Sequence, residues 1–247
     1  MDGLLLASLS GLIAASTLLL GAAVAWLVRV PPTVVAAILA FGAGVLISAL
    51  AYELVAEAND DGGLLPTIAG FLVGALLFVG ADWLLSRRGA GDRKRPGGTG
   101  GEGGGAAIAV GALIDGVPES VVLGLSVATG GGGLSIPIIA AIAISNIPEG
   151  LASTAGMKSD GRRAGYVFGV WGAIAAASTL AALLGYAVFA SAGPQVVAFV
   201  TTVAAGGILA MVSNTMIPEA FDRDRVLTGL FATLGFLTAF ALHELGG

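Results

Sequence analysis

The chain has 247 residues, of which 56% are hydrophobic and only 11% charged, and its mean hydropathy is +0.96. Soluble domains carry roughly 25% charged residues, so there is too little polar surface here to face water along most of the length. The formal net charge of −5 therefore matters less than where the charges lie, and the absence of cysteine excludes disulfide frameworks, thiolate metal sites and thiol nucleophiles.

The first thirty residues, MDGLLLASLSGLIAASTLLLGAAVAWLVRV, lack a basic leader and carry an apolar run longer than that of a signal peptide. They read as a first spanning helix. Apolar stretches then recur to the C-terminus, and helices are expected at about 3–28, 33–57, 64–86, 106–129, 135–157, 163–190, 195–221 and 227–245, each close to or above the ~20 residues that cross a hydrocarbon core. Short polar or Gly/Pro-containing breaks separate them: RVPPT, ANDDGG, ATGGGGLSIP, MKSDGRR, SAGPQ and FDRDR. The one long break, 87–105, is glycine-rich and has almost no apolar residue, the composition of a flexible linker. The expected fold class is an all-α integral membrane protein, a single domain of eight transmembrane helices.

The basic residues assign its orientation. All eleven fall after helices one, three, five or seven: Arg29; Arg87, Arg88, Arg93, Lys94 and Arg95; Lys158, Arg162 and Arg163; Arg223 and Arg225. Eight crossings place these connections on one side. By the positive-inside rule that side is the cytoplasm, so both termini are expected to be extracytoplasmic and the linker cytoplasmic. A multi-pass protein of the cell (inner) membrane follows.

Carboxylates in the interior of a span are costly and mark sites. The fourth helix carries Asp115, Pro118 and Glu119, and the fifth carries Ser145, Asn146, Pro148 and Glu149. Asp115 lies about 14 Å along its helix at 1.5 Å per residue, near mid-membrane, and Ser145 reaches a similar depth from the other side. Asp115/Glu119 and Ser145/Glu149 share the four-residue spacing that puts both members on one helix face. Each glutamate follows a proline that withholds an amide from the preceding turn, so kinks with freed carbonyls are expected. Asp115, Glu119 and Glu149 with the neutral oxygens of Ser145 and Asn146 form a donor set suited to a divalent cation. The plain alternative is that these groups join helices by hydrogen bonds.

These motifs resemble those of the ZIP (Zrt/Irt-like) family of divalent metal transporters. Asp115-Gly116-Val117-Pro118-Glu119-Ser120 matches in part the family's His-Asn-x-Pro-Glu-Gly motif, and Ser145-Asn146-Ile147-Pro148-Glu149-Gly150 matches its fifth-helix counterpart. Glu53 and Glu57 fall on the second-helix pattern and Glu219 on the Ile-Pro-Glu of the seventh. The resemblance implies uptake of a divalent metal, zinc foremost with manganese, iron or cadmium open, by movement of one helix bundle against another. Asp115 and Ser145 stand where the family carries histidine or glutamine, Gly116 replaces a second-site ligand, and Gly169 aligns with an acid of the sixth helix. One carboxylate site is thus implied rather than a binuclear centre. Glu53 and Glu57 are the candidate entrance.

Two other readings stay open: a proton-linked carrier of another small solute, and a membrane protein that binds metal without passing it. An enzyme is not expected. The single histidine, His243, has no accompanying nucleophile motif and reads as a solvated helix end. No phosphate-binding loop is present, and no cofactor is expected beyond the metal as substrate. The partners implied are the bilayer and a divalent metal ion, not nucleic acid. Helices rich in small residues are compatible with a homodimer.

Overall fold

A computed structural model describes residues 3–85, 87, 104–129 and 134–246; in the fourth helix the described side chains begin at Leu113 and leave out Asp115. The expected linker therefore lies outside the described residues except at its ends. The described residues form eight continuous helices: α1 (Gly3–Leu27), α2 (Pro32–Gly62), α3 (Leu64–Leu85), α4 (Gly104–Thr129), α5 (Ile136–Ser159), α6 (Ala164–Phe189), α7 (Pro194–Arg223) and α8 (Thr228–Gly246). Seven are long and apolar enough to cross a membrane; in α4 the described apolar stretch is Gly116–Ala128. Large apolar side chains such as Leu27, Leu65, Leu76 and Leu184 point outward, the opposite of a water-facing surface. The architecture is that of a multi-pass membrane protein.

Local chemistry sets the helix ends. Proline opens α2, α5 and α7, where its missing amide costs nothing. Ser135 caps α5 by accepting from the Ile138 amide. Gly63, at φ 91°, ends α2 and turns the chain straight into α3. Hydroxyls inside the apolar runs are satisfied by their own helix, as Ser10 donates to the Ala7 carbonyl (2.9 Å). At the far end of α5, Lys158 Nζ donates to the last carbonyls of α1, Trp26 O (2.6 Å) and Ala25 O (3.3 Å), groups a helix end otherwise leaves unpaired.

Packing sorts the helices into two groups of four. In one, α1 lies against α5 and α6, and α4 against α6; in the other, α3 lies against α7 and α2 against α8. Four of these five pairs, all but α1 with α6, cross at reciprocal glycines. A Cβ on Gly21 would overlap the Ile147 carbonyl, and one on Gly150 the Leu18 carbonyl. Gly44 and Gly235 do the same for α2 and α8, Gly74 and Gly206 for α3 and α7, and Gly124 and Gly185 for α4 and α6. Backbones thus touch directly, the close approach that small residues permit in apolar surroundings. The two groups meet mainly where α2 faces α5 and α4 faces α7. There the approach is looser: a Cβ on Gly42 would sit 3.2 Å from Pro148 Cγ and 3.3 Å from Ser145 Cα of α5, and 3.4 Å from Met216 Cε of α7.

Two features depart from expectation. Both prolines lie inside uninterrupted α-helix, Pro118 in α4 and Pro148 in α5. The irregular backbone falls instead in α2 and α7, as π-helix at Leu50–Ala56 and Val212–Met216. These helices run antiparallel: the Glu57–Gly62 end of α2 packs on the first part of α7, and the Ile217–Arg223 end of α7 on the first part of α2. Each π segment lies toward the C-terminal end of its helix and is followed by Glu-Ala, residues 57–58 and 219–220, so the two occupy opposite ends of the molecule.

Candidate functional site

α4 and α5, the carriers of the expected ligands, touch each other only sparingly; each packs mainly on a helix distant in sequence. Proximity in the chain therefore does not pair them. Both helices also border the junction between the two helix groups, α5 against α2 and α4 against α7.

On α4, Glu119 is 2% exposed, and its neighbour Ser120 is buried and donates to the Gly116 carbonyl (2.7 Å). Burying a carboxylate on an apolar helix carries a large desolvation cost. Glu119 lies three and seven residues before Val122 and Ser126, hence on the same face of α4. Those two residues help to enclose a cavity of about 40 Å³ together with Glu53, Glu57 and Asp61 of α2, Ile138 of α5 and Thr201 of α7. The cavity sits where all four junction helices converge and is roomy enough for water. Glu119 lies about one turn further in along α4.

On α5, Ser145 and Asn146 are buried and Glu149 is half-buried. Ser145 Oγ donates to the Ile142 carbonyl (2.9 Å), and Asn146 Nδ2 reaches across to the Ala14 carbonyl of α1 (3.0 Å). The Ser145 hydroxyl hydrogen and one Asn146 amide hydrogen are thus committed to structure, while the oxygens keep acceptor capacity. The backbone of Ser145 and the ring of Pro148 face Gly42 of α2, with Met216 from the π segment of α7 alongside. Glu149, four residues beyond Ser145, shares that junction-facing side. Among the described residues no three His, Asp or Glu side chains cluster tightly enough to hold a metal; the side chain of Asp115, the third expected carboxylate, lies outside them.

The acids on α2 differ in environment. Glu53 is 6% exposed, whereas Glu57 is exposed. Glu53 Oε1 lies 2.6 Å from Nδ1 of His243, 190 residues away. The reading of His243 as a solvated helix end is therefore corrected: the close packing of α8 on α2 delivers the ring to a buried carboxylate. Tyr52 stacks on that ring at 5.6 Å and also touches Phe236 and Phe240. Glu219, at the other end, pairs with Arg223 (2.6 Å). Arg87 lies over the ring of Trp83 at 4.0 Å.

Sequence reading also missed Ser178. It is buried, and its Oγ lies 3.5 Å from where a Cβ on Gly116 would stand. α6 therefore presents Ser178 to this part of α4, whereas a Cβ on Gly169 would meet nothing within 4 Å. A serine in an apolar helix was the available signal, but five other Ser and Thr residues on α5 and α6 share it. Trp171 Nε1 donates to Thr154 Oγ1 (2.8 Å), which assigns that buried threonine a structural partner. No family model matches this chain, and no curated protein is significantly similar to it.

Proposed function

We propose that the chain carries a divalent metal cation across the membrane into the cytoplasm, with Asp115, Glu119 and Glu149 as principal ligands and Ser145 and Asn146 as neutral oxygen donors. The proposed topology has eight spans with both termini outside, as the distribution of basic residues requires. The observation that carries the reading is Glu119: a carboxylate 2% exposed in an apolar helix, on the face that leads to the cavity lined by Glu53, Glu57 and Asp61.

Two further observations support it. The backbone of Ser145 and the ring of Pro148 face α2 at the junction of two helix groups. That is a suitable boundary for alternating exposure of a site to the two sides. The resemblance of the Pro-Glu motifs on α4 and α5 to the ZIP family points the same way and makes zinc the first cation to try. An all-oxygen ligand set favours harder ions than a histidine site would, so manganese and iron belong in the same panel.

The test is uptake of zinc, manganese, iron, cobalt and cadmium into proteoliposomes. Saturable uptake of at least one ion, abolished in Glu149→Gln with protein level and elution profile unchanged, is expected. Wild-type uptake in Glu149→Gln removes this residue from the site. No uptake of any ion, with binding retained, identifies a metal-binding membrane protein that does not transport.

A further inference from the structure

The pair formed by Glu53 and His243 is not needed for adhesion. α2 and α8 are already closed by Gly44 and Gly235 against each other's backbone, and a buried carboxylate is an expensive way to strengthen such a contact. The pair is also unusually well held. Glu53 lies in the π segment of α2, and the imidazole is fixed by stacking on Tyr52, itself packed on Phe236 and Phe240. Glu53 borders two cavities. One is the space shared with Glu57 and Asp61; the other, on its opposite side, is lined by Ser48, Pro137, Ala141, Ile144 and His243.

We propose that Glu53 and His243 form a second divalent-cation site, a capture site at the end of the molecule assigned to the outside, separate from the Glu119 region. Glu57 and Asp61, one and two turns further out on α2, are the acidic approach to it. The inference rests on the cation-carrier reading but is tested independently of flux.

The geometry fits a two-atom chelate in its proton-occupied form. Nδ1 and Oε1 are 2.6 Å apart. A tetrahedral zinc ion bound at about 2.0–2.2 Å to each holds them about 3.4 Å apart. A separation of somewhat under about 1 Å, within reach of small rotations of the two side chains, therefore converts the hydrogen bond into a metal chelate. For Nδ1 to bind the ion the ring keeps its one proton on Nε2: from a neutral ring the Nδ1 proton moves there, from a doubly protonated ring it leaves to solvent, and water completes the coordination. The other charged groups near the pair are Glu57 and Asp61 on α2 and Glu244, adjacent to His243 in sequence; the lining residues from α5 carry no charge. Two protein donors plus water bind weakly, and that suits capture: an ion must enter readily and leave readily. His243 is 32% exposed, so the ring is open to solvent from the helix end.

Because His243 is the only histidine, one chemical signal reports on the site. The full-length protein, purified through a tag without histidine, is treated with diethyl pyrocarbonate, and modification of His243 is followed by mass spectrometry against zinc concentration. Zinc is expected to slow modification saturably in the wild type and in Glu119→Gln. In Glu53→Gln the half-protecting concentration is expected to rise about tenfold or more, the usual loss on removing a metal-supporting carboxylate. Glu53→Asp, which keeps the charge, retains measurable protection and guards against misfolding as the cause. No protection of wild type up to about 1 mM zinc, a Kd near −4 kcal/mol, overturns the proposal, as does equal protection in Glu53→Gln. Protection without metal flux leaves this site standing and removes the carrier reading; flux without protection does the reverse.

Discussion

Replacing Glu119 by glutamine separates a functional carboxylate from a structural one, because the two roles predict opposite changes. The side chain is 2% exposed, so its shape is matched by its surroundings, and glutamine keeps that shape while removing the charge. A neutral amide is cheaper to bury than a carboxylate. The melting temperature of the purified protein should therefore hold or rise, by the equivalent of about 1 kcal/mol. Cation binding should move the other way. One unit charge lost about 4 Å from a divalent ion, at an effective dielectric of about 20, forfeits about 8 kcal/mol of gross attraction, so a loss of roughly a thousandfold or more in affinity is expected. The assay is thermal unfolding with and without zinc or manganese: wild type should be stabilised by the metal and the variant should not. A variant that unfolds several degrees lower yet keeps the metal-dependent shift would refute the reasoning and make Glu119 a structural link between helices.

Gly150→Val should destabilise the protein by about 1–3 kcal/mol, because the new side chain meets the Leu18 backbone rather than a side chain that can rotate away. Gly156→Ala on the same helix, where a Cβ meets nothing within 4 Å, should be neutral or slightly stabilising; equal loss in both would undo the crossing argument. Topology is tested by single cysteines, since the chain has none of its own. Asp60→Cys and Ser159→Cys, both at exposed positions, should react with a membrane-impermeant thiol reagent on intact cells only at position 60.

Composition and apolar runs made the helical class legible, because lipid leaves the backbone few alternatives to hydrogen bonding within the helix. Helix partnership was not legible in the same way. α4 and α5 were expected to pair because they are consecutive, but Gly124 and Gly150 are shaped for α6 and α1, and nothing local tells a glycine which backbone it will meet. The π segments left no trace either: LAYELVA has ordinary helix-forming composition, and the widened turn depends on what packs against it. Proline was the visible irregularity, yet Pro118 and Pro148 leave α4 and α5 continuous. The buried acids were found because charge in an apolar run is conspicuous. His243 was misjudged because its significance depends on a residue 190 positions away, and Ser178 because one serine among several carries no mark of its neighbour.

The glycine crossings also distribute mechanical stiffness unevenly. Where main chain rests on main chain, there is no rotamer to adjust, so the smallest displacement is resisted at once. Between α2 and α5 the Pro148 ring and the Ser145 Cα stand off Gly42 at 3.2 and 3.3 Å from where a Cβ would lie, without the main-chain overlap of the crossings, so this contact has more room to slide. Any strain imposed on this protein, by temperature, by bilayer thickness or by an occupant of its polar interior, will therefore be relieved first along that softer contact, leaving the interior of each four-helix unit unchanged.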